Sequence, residues 1–544
     1  MQWNIEEQPI FFPNQIKKIY EKVYNINRSN YCKWLGKISK KNKNDIDWWM
    51  TRPTLRNPYT SNILNYLSVL DTLSKIKTKK LEIITSSSEM KIILNQYFHK
   101  KFNLLVHVQD KRNILSNNNV FLFFKSVLFQ ILIFLYIKIF IKKKKLEKDR
   151  SYVFIDTFIT IDEKLNSGFY PSSLKNKHNV IFIPTVVHTL NFYRLIKTLQ
   201  KIDVNKFLFK EHYLSFKDLF CSFFHFYRRN KFTKDIYKYK NFNLTKIICE
   251  EISQYNNFNS VIAGLLNYNF FYKISLQKIN ISKSINWFEN QVIDRGWNLG
   301  FRKFFKKNEK NSFGYQNFTR HYNLISFSPS MSESESKVTP NKIIVVSKYF
   351  KKIKKEFNKK QLCFVGPTAR FKNMHKNYDQ SIRNRKNILL ILSGINQIDK
   401  ALLKITSDAC MHNKKIKIFV KQHPIMPLKK LINVSYMPKN LIVTNNKLDE
   451  LLKSSIISIT SGPTSAIQES YNMDNFLILP NIEVGTRVNA KRLMINKSKF
   501  FIVENGLDLI KTIKLISKKK LKKKKVINLK FFEEINNKNI QIFC

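Results

Sequence analysis

From about residue 341 onward, short apolar runs alternate with stretches that have helical spacing. The apolar runs are continuous, which is typical of parallel strands covered by helices on both faces. They read KIIVVS, QLCFVG, NILLILSG, KIKIFV, LIVT, IISIT, NFLILP and FFIV. The pattern predicts a Rossmann-like domain at 341–525 with a doubly wound parallel sheet, followed by a tail at 526–544.

A less regular version of the same alternation precedes residue 341. The run KKLEIITSSSEMKIILNQYF predicts a strand, a serine-rich turn and a helix, and YVFIDTF and NVIFIP predict further strands. These runs indicate an N-terminal α/β domain in two parts, 1–118 and 147–335, with a break near MSESESKVTP. A chain of 544 residues exceeds the size of one core. The fold class is therefore predicted as α/β, with two Rossmann-like domains facing a cleft.

The segment 119–146 interrupts the N-terminal domain. It contains the 22-residue apolar run Val120–Ile141 and then four consecutive lysines. The run is long enough to span a bilayer, but Lys125, Gln130 and Lys138 compromise a span. An interfacial helix and a buried core helix remain as alternatives. A true span would place the two flanks of one enzyme on opposite sides, so membrane association is favoured over a crossing.

The chain has a formal net charge of +58, mostly from lysines scattered along its length. No basic stripe with interleaved arginine and aromatic residues is present, and no nucleic-acid-binding motif, so nucleic acid is not expected as a partner. The charge favours anionic membrane surfaces and nucleotide phosphates. The six cysteines include no CxxC pair, which argues against a zinc site and a disulfide framework.

Candidate chemistry follows the strand KIKIFV. Lys421 and His423 stand at its carboxyl end, where Pro424 stops the strand. An imidazole there can donate to a phosphate or stabilise the charge on a leaving group. The alternative is a structural histidine that closes the strand, and Lys421 is one lysine among many.

The second candidate follows the strand IISIT, where a small, hydroxyl-rich turn precedes a helix. Backbone N–H groups and hydroxyls at such a turn can bind a phosphate. Helix capping alone is the alternative, because Ser465 and Gln468 have the spacing of a capping box. The candidate binding residues are Ser461, Gly462, Thr464, Ser465 and Glu469.

In the N-terminal domain, Glu289 ends a predicted strand and would face the cleft as a general base for a hydroxyl group. It can equally be an ordinary acid at the start of a helix. Asn290 stands beside it. On the following helix, Asp294, Arg295 and Arg302 either bind an acceptor or form an exposed charged face.

These motifs, in this order, resemble those of GT-B glycosyltransferases that use cytidine-nucleotide donors. The K-x-H-P strand end and the Ser/Thr turn are similar to motifs of bacterial sialyl- and polysialyltransferases, and CDP-glycerol polymerases of teichoic acid synthesis look similar. The wider pattern resembles an uncharacterised family of bacterial surface-carbohydrate biosynthesis proteins over about 280–480. It comprises WFENQVIDRGWNLGFRKF, GYQNF, TPNK, KQHP and SGPTSAIQE.

The resemblance implies that His423 contacts the donor phosphate or base and that Ser461, Thr464 and Ser465 hold the phosphate. The acid-rich motif that supplies the base in polysialyltransferases has no clear match, so Glu289 takes that role here. The donor would be a nucleotide-sugar substrate, CMP-linked in preference, with no cofactor and no metal. The acceptor, bound by 147–335, would be a lipid-linked or surface glycan at the cytoplasmic side of the inner membrane.

Three other functions remain open at this stage. A CDP-alcohol phosphotransferase would use the same two motifs but attack phosphorus instead of carbon. A sugar-nucleotide epimerase would need no membrane segment. In a membrane-associated assembly protein without enzymatic activity, the loop residues would be dispensable.

Overall fold

A computed structural model describes the chain except for thirteen short ranges. The residues outside the description are 8, 110–115, 160–168, 187–191, 255–257, 320, 372–384, 425, 432–436, 463, 489–498, 519–534 and 544. Pro463, in the predicted phosphate turn, and most of the lysine-rich stretch after residue 518 are therefore outside it.

The first hundred residues or so build a small parallel sheet of their own, the N-terminal sheet, with strand order β1-β2-β3. The predicted strand, serine-rich turn and helix at the second strand are confirmed. The elements are β1 (Gln2–Asn4), α1 (Asn14–Ser39), α2 (Ile46–Trp49), α3 (Ile63–Lys75), β2 (Lys80–Thr85), α4 (Ser88–Phe98) and β3 (Asn103–Val108). Ser87 caps α4 by accepting a hydrogen bond from the backbone N–H of Met90.

The next part of the chain surrounds a six-stranded parallel sheet, the middle sheet. Its strand order is β11-β10-β9-β8-β4-β5. Its strands are β4 (Ser151–Ile159), β5 (Val180–Val186), β8 (Asn280–Trp287), β9 (Ser312–Gln316), β10 (Lys342–Val345) and β11 (Leu362–Val365), and a small hairpin is formed by β6 (Lys238–Tyr239) and β7 (Phe242–Asn243).

The helices around this sheet include the apolar insert. They are α5 (Ser116–Phe140), α6 (Phe192–Gln200), α7 (Phe216–Phe223), α8 (His225–Arg228), α9 (Thr245–Ser253), α10 (Phe258–Leu276), α11 (Val292–Phe304), α12 (Met331–Glu335) and α13 (Lys348–Ile353). Helices α10 and α11 are in close contact, since a Cβ atom at Gly296 would lie 1.8 Å from the carbonyl oxygen of Gly264. Helix α11 is consequently buried on most of its surface.

The third sheet, the C-terminal sheet, is also parallel and has the order β14-β13-β12-β15-β16-β17. Counted along the chain this is 3-2-1-4-5-6, the order of dinucleotide-binding Rossmann folds. Its elements are β12 (Asn387–Ile391), α14 (Asn396–His412), β13 (Ile418–Lys421), β14 (Leu441–Thr444), α15 (Leu448–Ser454), β15 (Ser455–Thr460), α16 (Ala466–Asn472), β16 (Phe476–Pro480), β17 (Phe500–Val503) and α17 (Gly506–Lys518). The predicted α/β fold class is confirmed, with two six-stranded parallel sheets and an apolar helix upstream of them.

The division of strands between the sheets differs from the expected one in two places. The runs KIIVVS and QLCFVG, placed in the C-terminal domain by their sequence, form β10 and β11 and pair with β9 in the middle sheet. The strands within 1–118 do not join the middle sheet but form the N-terminal sheet. An apolar strand fits any covered parallel sheet, so only pairing in three dimensions decides its partner.

The described end of the expected tail packs against the middle sheet. It contains a short helix, α18 (Asn537–Ile540), and Phe543 is fully buried with its ring 4.9 Å from that of Tyr315. Lys283 Nζ donates to the carbonyl of Ile542 over 3.2 Å. Phe543 is thus part of the core on the middle sheet, whereas Ile535, Asn536 and Gln541 are exposed.

Candidate active site

The C-terminal sheet gathers three loops at its carboxyl edge. From β12 the chain continues outward to β13 and β14 on one side, and β15 to β17 lie on the other. Ligands of open α/β sheets bind at this point, where the strand order reverses. The loops after β13 and β15 carry the residues predicted from sequence, and the loop after β12 lies between them.

His423 lies against the loop after β12. A Cβ atom at Gly394 would be 2.6 Å from its Nδ1 and 2.7 Å from its Cγ, so the imidazole rests on the glycine backbone. Gly394 has φ of +84°, a conformation that other residues adopt only with strain. The backbone at Ser393-Gly394 therefore forms the surface on which the His423 ring packs. Its signal in the sequence is an S-G pair directly after an apolar strand.

Asp399 fixes this loop. Its carboxylate accepts hydrogen bonds from the backbone N–H of Ser393 at 2.7 Å, from the Ser393 hydroxyl at 2.8 Å and from the backbone N–H of Gly394 at 2.8 Å. Burial lowers the pKa of His423, and the nearby carboxylate of Asp399 opposes that shift. The imidazole is therefore biased towards its neutral form, which can donate one hydrogen bond to a phosphate oxygen.

The hydroxyl-rich turn lies beside the same loop. Gly462 has φ of +87°, and a Cβ atom there would be 3.3 Å from the Cβ of Ser393. The Ser465 hydroxyl donates to Glu469 Oε1 at 2.6 Å, and the Thr464 hydroxyl accepts from the N–H of Ala466 at 3.2 Å. The capping box of Ser465 and Gln468 does not form, because the Ser465 side chain makes no cap hydrogen bond.

The remaining C-terminal candidates have partners within the protein. Ser461 is buried, and its hydroxyl lies 3.5 Å from the carbonyl oxygen of Pro480. Burial raises the pKa of Glu469, whose carboxylate accepts from Ser465. Lys421 points towards the loop after β14, where its Nζ donates to the carbonyl of Asn446 at 2.6 Å. That contact gives Lys421 a structural role at the sheet edge.

Arg370 is a cation at this edge that the sequence analysis did not identify. It follows β11 of the middle sheet and is exposed. Its charge acts on both His423 and Glu469, lowering the pKa of each, although burial is the larger influence on both groups. A guanidinium whose charge acts on both groups can bind a phosphate at this edge through two hydrogen bonds.

On the middle sheet, Glu289 follows β8 with its carboxylate held from both sides. Trp287 Nε1 donates to Oε1 at 2.8 Å, and Gln291 Nε2 donates to Oε2 at 2.7 Å. The backbone N–H groups of Glu289 and Gln291 donate to Asp294 Oδ2 at 2.9 and 3.0 Å. Asp294 thus closes the turn at the start of α11 and orients Glu289.

The other residues predicted beside Glu289 are buried. Some of them belong to a network that joins the loop between α2 and α3 to helices α11 and α12. Glu333 Oε1 lies 2.9 Å from Arg295 Nη2, and its Oε2 lies 2.5 Å from Arg56 Nη2. Asn290 Nδ2 donates to Glu333 Oε1 at 3.1 Å. Arg302 Nη1 donates to the carbonyl of Thr339 at 2.8 Å. The expectation of an exposed charged face is wrong, because α10 covers α11.

A second acid lies next to Asp294. Asp156, a single charged residue within the apolar strand β4, is fully buried, and among the described residues neither of its oxygens has a hydrogen-bond partner. Burial, and then the nearby Asp294, raise the pKa of Asp156 well above its usual range, and burial raises that of Asp294 to about 7. Lys210, also buried, donates to Thr185 Oγ1 at 2.9 Å nearby. The like charges of two buried carboxyls disfavour ionisation of both at the same time.

The carboxyl ends of the middle and C-terminal sheets meet at Glu483, which follows β16. Tyr59 donates to Glu483 Oε1 in a short hydrogen bond, and Asn323 Nδ2 donates to the same oxygen at 3.2 Å. His321 Nε2 lies 3.5 Å from Oε2. Burial raises the pKa of Glu483 to about 7. Sequence reasoning missed this cluster, since its members come from three distant parts of the chain.

Over the part of the chain that the structure describes, no group of three or more His, Cys, Asp and Glu side chains is placed to hold a metal ion. Arg370 and the imidazole of His423 can both donate hydrogen bonds to an anion at the C-terminal edge.

Comparisons with known proteins do not assign the chain to a family. No protein-family model matches it. No curated protein matches it either. Among solved structures it is similar to the S. aureus MnaA–UDP complex (12% identity, 68% of this chain and 88% of that one, TM-score 0.39). It is also similar to the calicheamicin glycosyltransferase CalG4 (11% identity, 68% of this chain and 91% of that one, TM-score 0.37). A UDP-N-acetylglucosamine 2-epimerase is similar as well (11% identity, 69% of this chain and 88% of that one, TM-score 0.38). At these identities and scores the likenesses add nothing to the assignment of an activity.

Proposed function

We propose that this protein is a glycosyltransferase that transfers a sugar from a nucleotide-sugar donor, CMP-linked in preference, to a lipid-linked or surface glycan acceptor. The observation that carries the proposal is the edge of the C-terminal sheet. His423, the Gly394 and Gly462 backbones and the 461–465 turn meet there at the point where the strand order reverses.

In this proposal the donor phosphate binds between the hydroxyl-rich turn and His423. Thr464 and Ser465 supply hydroxyls, His423 donates from its imidazole, and Arg370 neutralises charge as the phosphate departs. Helix α16 has only seven residues. Its dipole is correspondingly a small contribution, and the side chains do most of the binding.

The acceptor side of the proposal rests on Glu289. The acceptor hydroxyl would give its proton to Glu289 while its oxygen forms a bond to the anomeric carbon. The bond from that carbon to the phosphate oxygen breaks, and the phosphate leaves with the electron pair. Trp287, Gln291 and Asp294 act as positioning residues, because they hold the carboxylate and backbone of Glu289. The reaction would take place at the cytoplasmic side of the inner membrane.

The first test is stabilisation of the purified protein by CMP, CDP, UDP, GDP and ADP, measured by thermal unfolding. A nucleotide at a hundred times its dissociation constant adds about 2.7 kcal/mol to the free energy of unfolding. We expect one nucleotide to raise the melting temperature of the wild type and of His412→Ala but not of His423→Ala. His412 is the matched control, an exposed histidine at the end of α14 in the same domain.

The products distinguish this function from the alternatives. A transferase releases the free nucleotide only as the acceptor is extended, whereas an epimerase changes the sugar and releases no nucleotide. A CDP-alcohol phosphotransferase would leave a phosphate in the product. If the folded protein is stabilised by none of the five nucleotides, the donor site is refuted and an assembly role becomes the better explanation.

A further inference from the structure

Helix α5 has a buried side and an exposed side, and both are apolar. Ile133, Phe134 and Ile137 are buried in the cores on the middle sheet. On the exposed side lie five large apolar side chains that are 39–68% exposed. They are Phe124, Leu128, Leu132, Ile139 and Phe140. Only 22% of the stretch Phe123–Phe140 is buried.

Aromatic residues of other helices extend this surface on both flanks. On one flank, α7 and α8 present four aromatic side chains that are 43–77% exposed, and the ring of Phe216 lies 5.2 Å from that of Phe134. On the other, Phe192 of α6 contacts Phe129 and Tyr136 of α5. We call the whole surface the aromatic face. Its members are Phe124, Leu128, Leu132, Ile139, Phe140, Tyr193, Phe216, Phe220, Phe224 and Tyr227.

Exposed lysines lie on α5, directly after it and on α6. The sequence from 116 to 146 contains no aspartate or glutamate. Lys125 is exposed on α5, and Lys142, Lys143 and Lys145 are exposed directly after it. Lys197 of α6 lies with its Nζ 4.5 Å from the centre of the Tyr193 ring. An apolar aromatic surface with basic groups along it is complementary to the interface of a bilayer that contains anionic lipid.

The fold also decides between a crossing and an interfacial position. Arg56 precedes α5 in the chain and Glu333 follows it, yet the two side chains are paired. Trp49 and Arg295 are joined in the same way, by a hydrogen bond of 3.0 Å from Arg295 Nη1 to the Trp49 carbonyl. Both flanks of α5 therefore lie on one side of any membrane, which a single crossing does not permit.

We propose that the aromatic face binds the interface of an anionic lipid bilayer, with α5 lying along the membrane surface instead of across it. Phenylalanine and tyrosine side chains would enter the headgroup region, and the lysines would contact the lipid phosphates. This deepens the membrane location in the proposed function by naming the surface and its lipid partner. Its test requires no nucleotide, so it can fail or succeed independently of transferase activity.

The test is sedimentation of the full-length protein with vesicles of phosphatidylcholine alone, or of phosphatidylcholine and phosphatidylglycerol in equal parts. We expect binding to the anionic vesicles, with a partition coefficient at least tenfold lower for Phe220→Ser/Phe224→Ser, a difference of about 1.4 kcal/mol. The matched control is Met411→Ser/Leu507→Ser, which removes two similarly exposed apolar side chains from the C-terminal domain. It should bind like the wild type.

Three results with the purified protein would overturn the proposal. The first is folded protein that binds neither kind of vesicle, and the second is an equal loss of binding in the control pair. The third is that the wild type is a dimer, that Phe220→Ser/Phe224→Ser is a monomer, and that neither protein binds vesicles. This result would assign the aromatic face to contact with a second copy of the chain. In cells, release from membranes by alkaline carbonate supports the interfacial position, and retention would refute it.

Discussion

Gly394 allows a direct test of whether His423 is held in place by the loop beneath it. The change Gly394→Ala adds a Cβ atom 2.6 Å from Nδ1 of the imidazole and 3.0 Å from its Cε1. It also puts alanine at a φ of +84°. The substitution therefore combines two separable effects, backbone strain and displacement of the His423 ring.

The two effects can be separated because only the displacement involves the His423 ring. A residue other than glycine in the left-handed region costs about 1–2 kcal/mol. Forcing an extra methyl group into a packed contact typically costs about 1–3 kcal/mol. In a His423→Ala background the second cost disappears, because the ring is absent, while the strain remains. We therefore expect a coupling free energy of about 1–3 kcal/mol between the two substitutions.

The assay is urea unfolding of the wild type, both single variants and the double variant, with and without the nucleotide that stabilises the wild type. Gly394→Ala should also lose most of the nucleotide stabilisation, because the imidazole has moved. Additivity of the two substitutions within about 0.5 kcal/mol would refute the packing argument. Nucleotide stabilisation that survives in Gly394→Ala and His423→Ala alike would refute a role of His423 in donor binding.

Three further predictions concern charges. Because burial raises the pKa of Glu483 to about 7, its contribution to stability is present below the unfolded pKa and is lost as the pH rises through 7. Glu483→Gln should flatten the decline of the free energy of unfolding between about pH 4.5 and 7 by up to about 1.4 kcal/mol per pH unit, and parallel curves would contradict this. Glu333→Gln should lower the free energy of unfolding in urea by about 3–5 kcal/mol, because it leaves two buried arginines uncompensated. The control is Glu309→Ala, which removes a partly exposed pair with Lys337 and should lower it by about 0–1 kcal/mol. Arg370→Ala should weaken nucleotide binding, more so at low salt, without lowering the stability of the unliganded protein, and unchanged affinity would remove Arg370 from the site.

The strand pattern was read correctly from the sequence because a covered parallel strand is apolar along its whole length. The runs NILLILSG, KIKIFV and IISIT therefore predicted β12, β13 and β15 and placed His423 and the hydroxyl-rich turn at strand ends. The loop containing Gly394 was within reach of the same reasoning, since its S-G pair follows one of these strands. The assignment of β10 and β11 to the C-terminal domain was wrong, because an apolar run does not indicate which strand it pairs with.

The sequence by itself determined most strands of the middle and C-terminal sheets, since hydrophobic periodicity and turn residues act over a few positions, but β1 and α1 were not predicted. It also determined that an apolar helix interrupts the N-terminal part. Only the tertiary structure decided that Lys421 turns away from the proposed donor site, that Asp294 and Arg295 are buried, and that Tyr59, His321 and Glu483 meet. These outcomes depend on contacts between distant residues, and burial in such contacts also raises the pKa of Asp294 and of Glu483 to about 7. No local pattern encodes them.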